Sequence, residues 1–168
     1  MAGVPEVTEA AVKNLIEKGG LISKPLSWAI KNGQVRSRME VDNPDGEALE
    51  IDVHISTVLP GKYSLALLWA KRCITRLDVR GSHVNHCDGT QERWRRTTHK
   101  HRHSDAYAMA QAYTPGDVPS TPGLVAPDNE YEAVFKAFCA ECGIDPDDAW
   151  VPPTFEPTPV ALHDAEDE

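Results

Sequence analysis

Several features are scarce in this chain of 168 residues, and each absence narrows the field. No run of about 18 apolar residues occurs, and LALLWA at 65–70 is far too short to cross a bilayer. A basic-then-apolar leader is missing too, so the expected location is the cytoplasm, with no membrane partner. The four cysteines (Cys73, Cys87, Cys139, Cys142) are then expected as reduced thiols. Cys139-Ala140-Glu141-Cys142 has the spacing of half a zinc site, but no second Cys-x-x-Cys pair accompanies it. Small core residues are the simpler account. Positive charge is short overall: 17 Lys and Arg face 26 Asp and Glu, for a net −9. That balance argues against indiscriminate polyanion binding, although a local basic patch can still focus an anionic ligand.

Such a patch is present. Five of the seven histidines lie between positions 83 and 103, and His99, His101 and His103 alternate. From Lys71 to His103 there are nine Lys and Arg (Lys71, Arg72, Arg76, Arg80, Arg93, Arg95, Arg96, Lys100, Arg102) against three acids (Asp78, Asp88, Glu92). The segment is therefore +6 and the other residues −15.

The surrounding pattern predicts an α+β domain over residues 1–143: an antiparallel meander of four to six strands with an N-terminal and a C-terminal helix. Thr8 caps EAAVKNLIEK, whose Val12, Leu15 and Ile16 share a face, and Gly19-Gly20 stop it. A connector holding Pro25 and Asn32-Gly33 follows. VRSRMEV (35–41) and ALEIDVHIS (48–56) alternate on either side of Asn43-Pro44-Asp45-Gly46, which predicts a hairpin. His54 falls opposite the apolar face of the second strand and is expected on the solvent side. Two further strands are expected at 63–70 and 74–80, around a tight turn at Lys71-Arg72. Residues 81–96 lack periodicity and are expected as a loop, before a strand at 97–103 that 107–113 extends or follows. Tyr131, Val134, Phe135, Phe138 and Cys142 define a second helix over 129–142. Residues 144–168, with eight acids, five prolines and no Lys or Arg, are expected as a disordered acidic tail. The tail is a candidate for contacting a protein partner or folding back on the basic segment.

On a strand, His99, His101 and His103 would share one face at about 6.5–7 Å intervals. Three readings follow. Metal-free phosphodiester cleavage of RNA needs a base, an acid and a cation for the phosphate. His83, His99 and His101 are the candidate catalytic groups, and Arg93, Arg95, Arg96, Lys100, Asn85 and Asp88 the candidate substrate-binding ones. This leading reading requires no cofactor. The alternative is zinc or another divalent transition metal, held by His-x-His with His83 or His86 and Asp88. The plainest account is a polar sheet face with solvated arginines. Beside these stands recognition without catalysis, with Trp94 as a stacking plane among cations or simply as an anchor for its loop. Asp105 is a candidate for orienting a histidine.

The segments LDVRGSHVNHCDGT (77–90) and THKHRHSDAYAMAQAYTP (98–115) also resemble a small, largely uncharacterised family of bacterial and phage proteins. Its pattern matches Leu77, Asp78, Gly81, His83, Asn85, Asp88, Gly89, His99, His101, Ala112 and Tyr113, with His83 one position nearer Gly81 than in the family. The resemblance covers about 40 residues well and excludes the acidic tail. It implies a site built on His83, His99 and His101, leaves out His86, His103 and the cysteines, and carries no established activity. The setting it implies is a toxin, defence or anti-defence role. Two expectations result: an RNA-directed endoribonuclease, or a non-enzymatic factor that binds nucleic acid or protein in phage–host conflict.

Overall fold

The structure, a computed structural model, describes residues 4–87, 90–113 and 129–159. In chain order the elements are α1 (Glu9–Lys18), β1 (Gly20–Leu21), β2 (Ala29–Lys31), β3 (Gln34–Val41), β4 (Leu49–Ser56), β5 (Tyr63–Trp69), β6 (Arg72–Cys87), β7 (Thr90–Arg102), β8 (Ala112–Tyr113), α2 (Glu130–Glu141) and β9 (Ile144–Asp145). The fold is α+β. Strands β2 to β8 form one antiparallel sheet in sequence order, while β1 and β9 form a separate parallel pair. Among the described residues no helix is long and apolar enough to cross a membrane.

Local chemistry explains the elements that the sequence made visible. Thr8 Oγ1 accepts the Ala11 amide at the start of α1, and Gly19, with φ of 69°, ends it. The β3–β4 hairpin pairs Val35 with Ile55, Ser37 with Val53, Met39 with Ile51 and Val41 with Leu49, so the alternating apolar residues share one face. That face continues through Tyr63, Leu65, Leu67 and Trp69 of β5 and Leu77 and Val79 of β6. Val12 and Leu15 of α1 and Val134, Phe135, Phe138 and Cys139 of α2 cover it, closing a single core.

The sheet has seven strands, more than the four to six expected. Strand β2 lay hidden in the connector, where Asn32 (φ 51°) and Gly33 (φ 71°) make the tight turn of a two-residue hairpin. The larger difference is at 81–96. Instead of a loop, β6 and β7 run to Cys87 and from Thr90 as one long hairpin. Its alternation is masked because the register shifts between Asp78 and Gly81 and again between Gly81 and His83. Arg80 (φ 53°) and Arg96 (φ 48°) take left-handed conformations at these two irregularities, as the extra residue of a bulge does.

Residues 144–159 also differ from expectation. Ile144 and Asp145 pair with Gly20 and Leu21, Ala149 is buried, and Trp150 packs against Trp28 and Phe135. The Trp28 indole donates to the Val151 carbonyl and the Thr158 amide to that of Thr57. Eight acids and five prolines obscured these few apolar anchors. Residues 160–168, the rest of the expected tail, lie outside the described residues.

One buried ion pair ties the hairpin base to α2. Arg80 donates from Nη1 and Nη2 to the two Glu130 oxygens at 2.7 Å each, and the Tyr63 hydroxyl donates to Glu130 Oε1 at 2.6 Å. Both charged side chains are 2% exposed. Removing one partner strands the other charge in a dry site. Glu130→Ala should therefore lower unfolding free energy by about 3–5 kcal/mol, measured by urea denaturation.

Candidate functional site: a histidine–carboxylate cluster on the polar sheet face

The face of the sheet away from the helices is polar, and its side chains fall into rows. Register places Arg36, His54, Ser64, Asp78 and His99 across strands β3 to β7 in one row. The adjacent row is Arg38, Asp52, Ala66, Arg76 and His101. Each row thus carries ionisable groups at both ends and a small residue of β5 between them.

At the β6–β7 end, His99 Nε2 lies 3.3 Å and His101 Nε2 3.5 Å from Asp78 Oδ2. Arg76 Nε donates to the same oxygen at 2.9 Å. Both imidazoles are 1% exposed. Their other nitrogens are fixed by main-chain carbonyls: His99 Nδ1–H donates to Thr97 at 2.7 Å and His101 Nδ1–H to Met109 at 2.9 Å. A carbonyl only accepts, so these contacts assign the Nδ1 protons. His83 completes the group, with ring centroids 4.6 Å from His101 and 5.9 Å from His99, and its Nε2–H donates to the Ala110 carbonyl. Burial pushes its basicity down, and the neighbouring imidazoles add to that. Burial alone would raise the Asp78 carboxyl, but His101, His99 and Arg76 outweigh it and hold Asp78 well below the usual carboxylate range.

The far half of the hairpin folds over this cluster. Strand β7 lies between β6 and β8 in the sheet. Even so, the Asn85 amide reaches Ala112 of β8, donating to its carbonyl and accepting its N–H at 2.8 Å each. Trp94, opposite His83 in the ladder, leans on His99 with centroids 6.0 Å apart. It is an anchor for the hairpin here. Gly81 permits the close packing beneath: a Cβ there would stand 3.0 Å from both Asp78 Cβ and His99 Cε1.

The structure therefore brings His83, His99 and His101 together and adds Asp78, which belonged to the sequence pattern but not to the candidate site. The Leu-Asp dipeptide followed by Gly81 was the available signal. Other candidates are placed elsewhere. Lys100 projects from the opposite face of β7, where it and Arg102 pair with Glu141 of α2. Strand parity alone puts it there. Asn85 is 4% exposed, ties the Ala112 backbone and hydrogen-bonds His83 from within the hairpin. Arg93, Arg95 and Arg96 are exposed on the outer hairpin, with Arg93 donating to Gln91. Asp88 lies outside the described residues. Asp105 accepts the Glu9 amide and stands 4.0 Å from His103, away from the cluster. Cys139 and Cys142 are buried in the core, where burial pushes the Cys139 thiol up to about 12.

A second group occupies the β3–β4 end of the rows. Arg38 donates to Asp52 Oδ2 at 2.9 Å, and His54 Nε2 lies 3.0 Å from that oxygen and 3.1 Å from Arg36 Nη2. One nitrogen cannot donate and accept at once, so protonated Nε2 serves Asp52 and unprotonated Nε2 accepts from Arg36. Between the two groups runs a cleft of about 410 Å3, lined by His54, Ser56, Lys62, Ser64, Asp78 and Gly81 among others. A hollow of about 540 Å3 at the β3–β4 turn is lined by Glu40, Asp42, Glu47 and Glu50, a setting that repels anions.

Comparison with protein-family models, with curated proteins and with solved structures finds no match to this chain. The site is consequently interpreted from its own geometry.

Two measurements check it. Gly81→Ala should cost about 1–3 kcal/mol through overpacking and shift the imidazole NMR signals of His99. Burial opposes ionisation of Asp52, but His54 and Arg38 prevail and bring its carboxyl down to about 2. This folded value lies below the unfolded one of about 3.9, so Asp52 stabilises the fold fully above about pH 4 and progressively less as pH falls towards 2. The stability gap between the native protein and Asp52→Asn should be widest near neutrality and close in that acid window, as followed by denaturant unfolding.

Proposed function

We propose that the protein acts on a nucleic-acid phosphodiester, RNA in the first instance, at the cluster beneath the β6–β7 hairpin. The observation that carries the reading is the convergence of His83, His99, His101 and Asp78 under a hairpin whose outer half exposes Arg93, Arg95 and Arg96. Exposed arginines contact phosphates in any sequence and align the backbone. The cleft leading from Asp78 over Ser64 to His54 is within the size range of small-ligand sites, about 300–1,000 Å3, and so can admit a nucleotide unit.

Cleavage through the 2′-hydroxyl removes its proton, forms the O2′–P bond, breaks P–O5′ and returns a proton to O5′. His83, the most open of the three rings, is assigned a proton-transfer role. His99 and His101 have Nδ1 committed to carbonyls, Nε2 turned to Asp78 and almost no exposure, so their part is electrostatic and not direct proton exchange with substrate. The setting we propose is a phage–host conflict, as toxin or as defence or anti-defence factor.

The burial of His99 and His101 specifically favours one other reading, a factor that binds nucleic acid without cleaving it. Incubating the full chain with single-stranded RNA, with and without EDTA, separates the two. Turnover should appear and fall by about 10²-fold or more in His83→Ala, while replacing Arg93, Arg95 and Arg96 by Ala should weaken binding and flatten its salt dependence. Tight binding with no turnover supports the non-catalytic factor, and absence of both removes nucleic acid as the ligand.

A further inference from the structure

We propose that Asp78, His99 and His101 form a binding site for one divalent transition-metal ion of the zinc class, with Nε2 of each imidazole and a carboxylate oxygen as ligands. The inference deepens the function proposed above and rests on the same place in the fold, but not on nuclease activity.

The spacing of the polar atoms is the first argument. A charge-assisted N–H···O bond is about 2.7–2.9 Å long, and the Arg76–Asp78 contact meets that at 2.9 Å. The two imidazole contacts, at 3.3 and 3.5 Å, do not. Ligands held at about 2.0–2.1 Å around a tetrahedral zinc stand about 3.3–3.4 Å from one another, by simple geometry from the usual bond lengths. The three ligand atoms, one from each residue, lie within 4.8 Å of each other. The two carboxylate–imidazole distances thus match edges of a coordination shell, and the third lies within 4.8 Å.

Protonation leads to the same place. With Nδ1–H given to a carbonyl on each ring, a neutral imidazole turns the lone pair of Nε2 towards a carboxylate. Two lone-pair donors facing an anion repel unless something positive lies between them. Filling it with a further proton on each ring would set two imidazolium ions with centroids 5.3 Å apart in an almost fully buried site. A single cation fills it with both rings neutral. His101 Nε2 moreover is buried without a hydrogen-bond partner of normal length, with Asp78 Oδ2 3.5 Å away. An orphaned buried nitrogen of this kind is costly.

The outer contacts match as well. Metal-bound histidines characteristically donate their second N–H to a carbonyl or carboxylate, which fixes the tautomer and the ring plane. Thr97 and Met109 do this for His99 and His101. Two imidazoles and one carboxylate are a donor set suited to zinc or a neighbouring first-row ion, and three protein ligands leave a position open. Asp78 lines the 410 Å3 cleft, so that position has a route to solvent and substrate. Arg76 is the opposing feature, since it shares Asp78 Oδ2 and its charge competes with a dication. Its side chain is 41% exposed, and it can turn into solvent when the ion binds. This arrangement differs from the set the sequence suggested, because Asp78 takes the place of Asp88, while His83 and His86 are not ligands.

The test uses the full chain, stripped with chelator and dialysed against zinc chloride alone, with bound metal counted by elemental analysis. One ion per chain is expected. Asp78→Asn, His99→Ala and His101→Ala should each weaken binding at least tenfold, His103→Ala should retain the ion, and Arg76→Ala should bind it at least as tightly. Should a ligand variant fail to fold, judged by circular dichroism, cobalt(II) chloride added to the native chain decides. Intense visible bands of a low-coordinate nitrogen–oxygen site support the proposal, and the weak spectrum of aqueous cobalt overturns it. Absence of stoichiometric zinc, or zinc unaffected by all three ligand variants, also overturns it. Bound zinc with no RNA turnover keeps the metal site and removes the nuclease; turnover by a chain that takes up no stoichiometric zinc does the reverse.

Discussion

A β-strand offers alternate residues to two faces only, and β6 must supply both the helix-covered core and the histidine cluster. Leu77 and Val79 face the helices while Asp78 faces the other way, as strict alternation requires. The bulge at Arg80 then breaks the alternation. It sends the Arg80 guanidinium to Glu130 of α2 and sets Gly81 under the His99 ring. The second shift, near Arg96, lets His83 and Trp94 come over the same cluster. Without these two irregularities the hairpin would extend flat into solvent and the imidazoles of the two strands would not meet.

The polar face shows a related economy. Two Asp–His groups sit at opposite ends of adjacent rows, each attended by arginine, with Ser64 and Ala66 as the low floor between them. Small residues on the middle strand are what make a cleft out of a sheet face. The larger acidic hollow near the β3–β4 turn shows why volume alone does not identify a site for an anionic ligand.

Charge counting along the chain overstated the basic patch. Of the nine cations between Lys71 and His103, Arg80 is neutralised by Glu130, Lys100 and Arg102 by Glu141, and Arg76 by Asp78. Two of these three acids, Glu130 and Glu141, come from α2, remote in sequence. Exposed on the outer hairpin are Arg93, Arg95 and Arg96, a narrower surface than a net +6 suggests. The same lesson applies to the acidic C-terminal segment, where a handful of apolar residues decides that 144–159 packs against the domain.

Sequence by itself determined the elements whose signals are local. Thr8 and Gly19 bound α1, period-two alternation defined β3, β4 and β5, and helical spacing marked α2. Residue type and parity also indicated that His99 and His101 share a face, whereas the resemblance was what grouped His83 with them. Only the tertiary structure decided that Asp78 joins them, that Lys100 does not, and that the supposed loop is a folded hairpin. The reason is physical. Bulges change which face a residue serves without altering composition, and a side chain's partner across strands or on a helix depends on register and packing, which have no local signature.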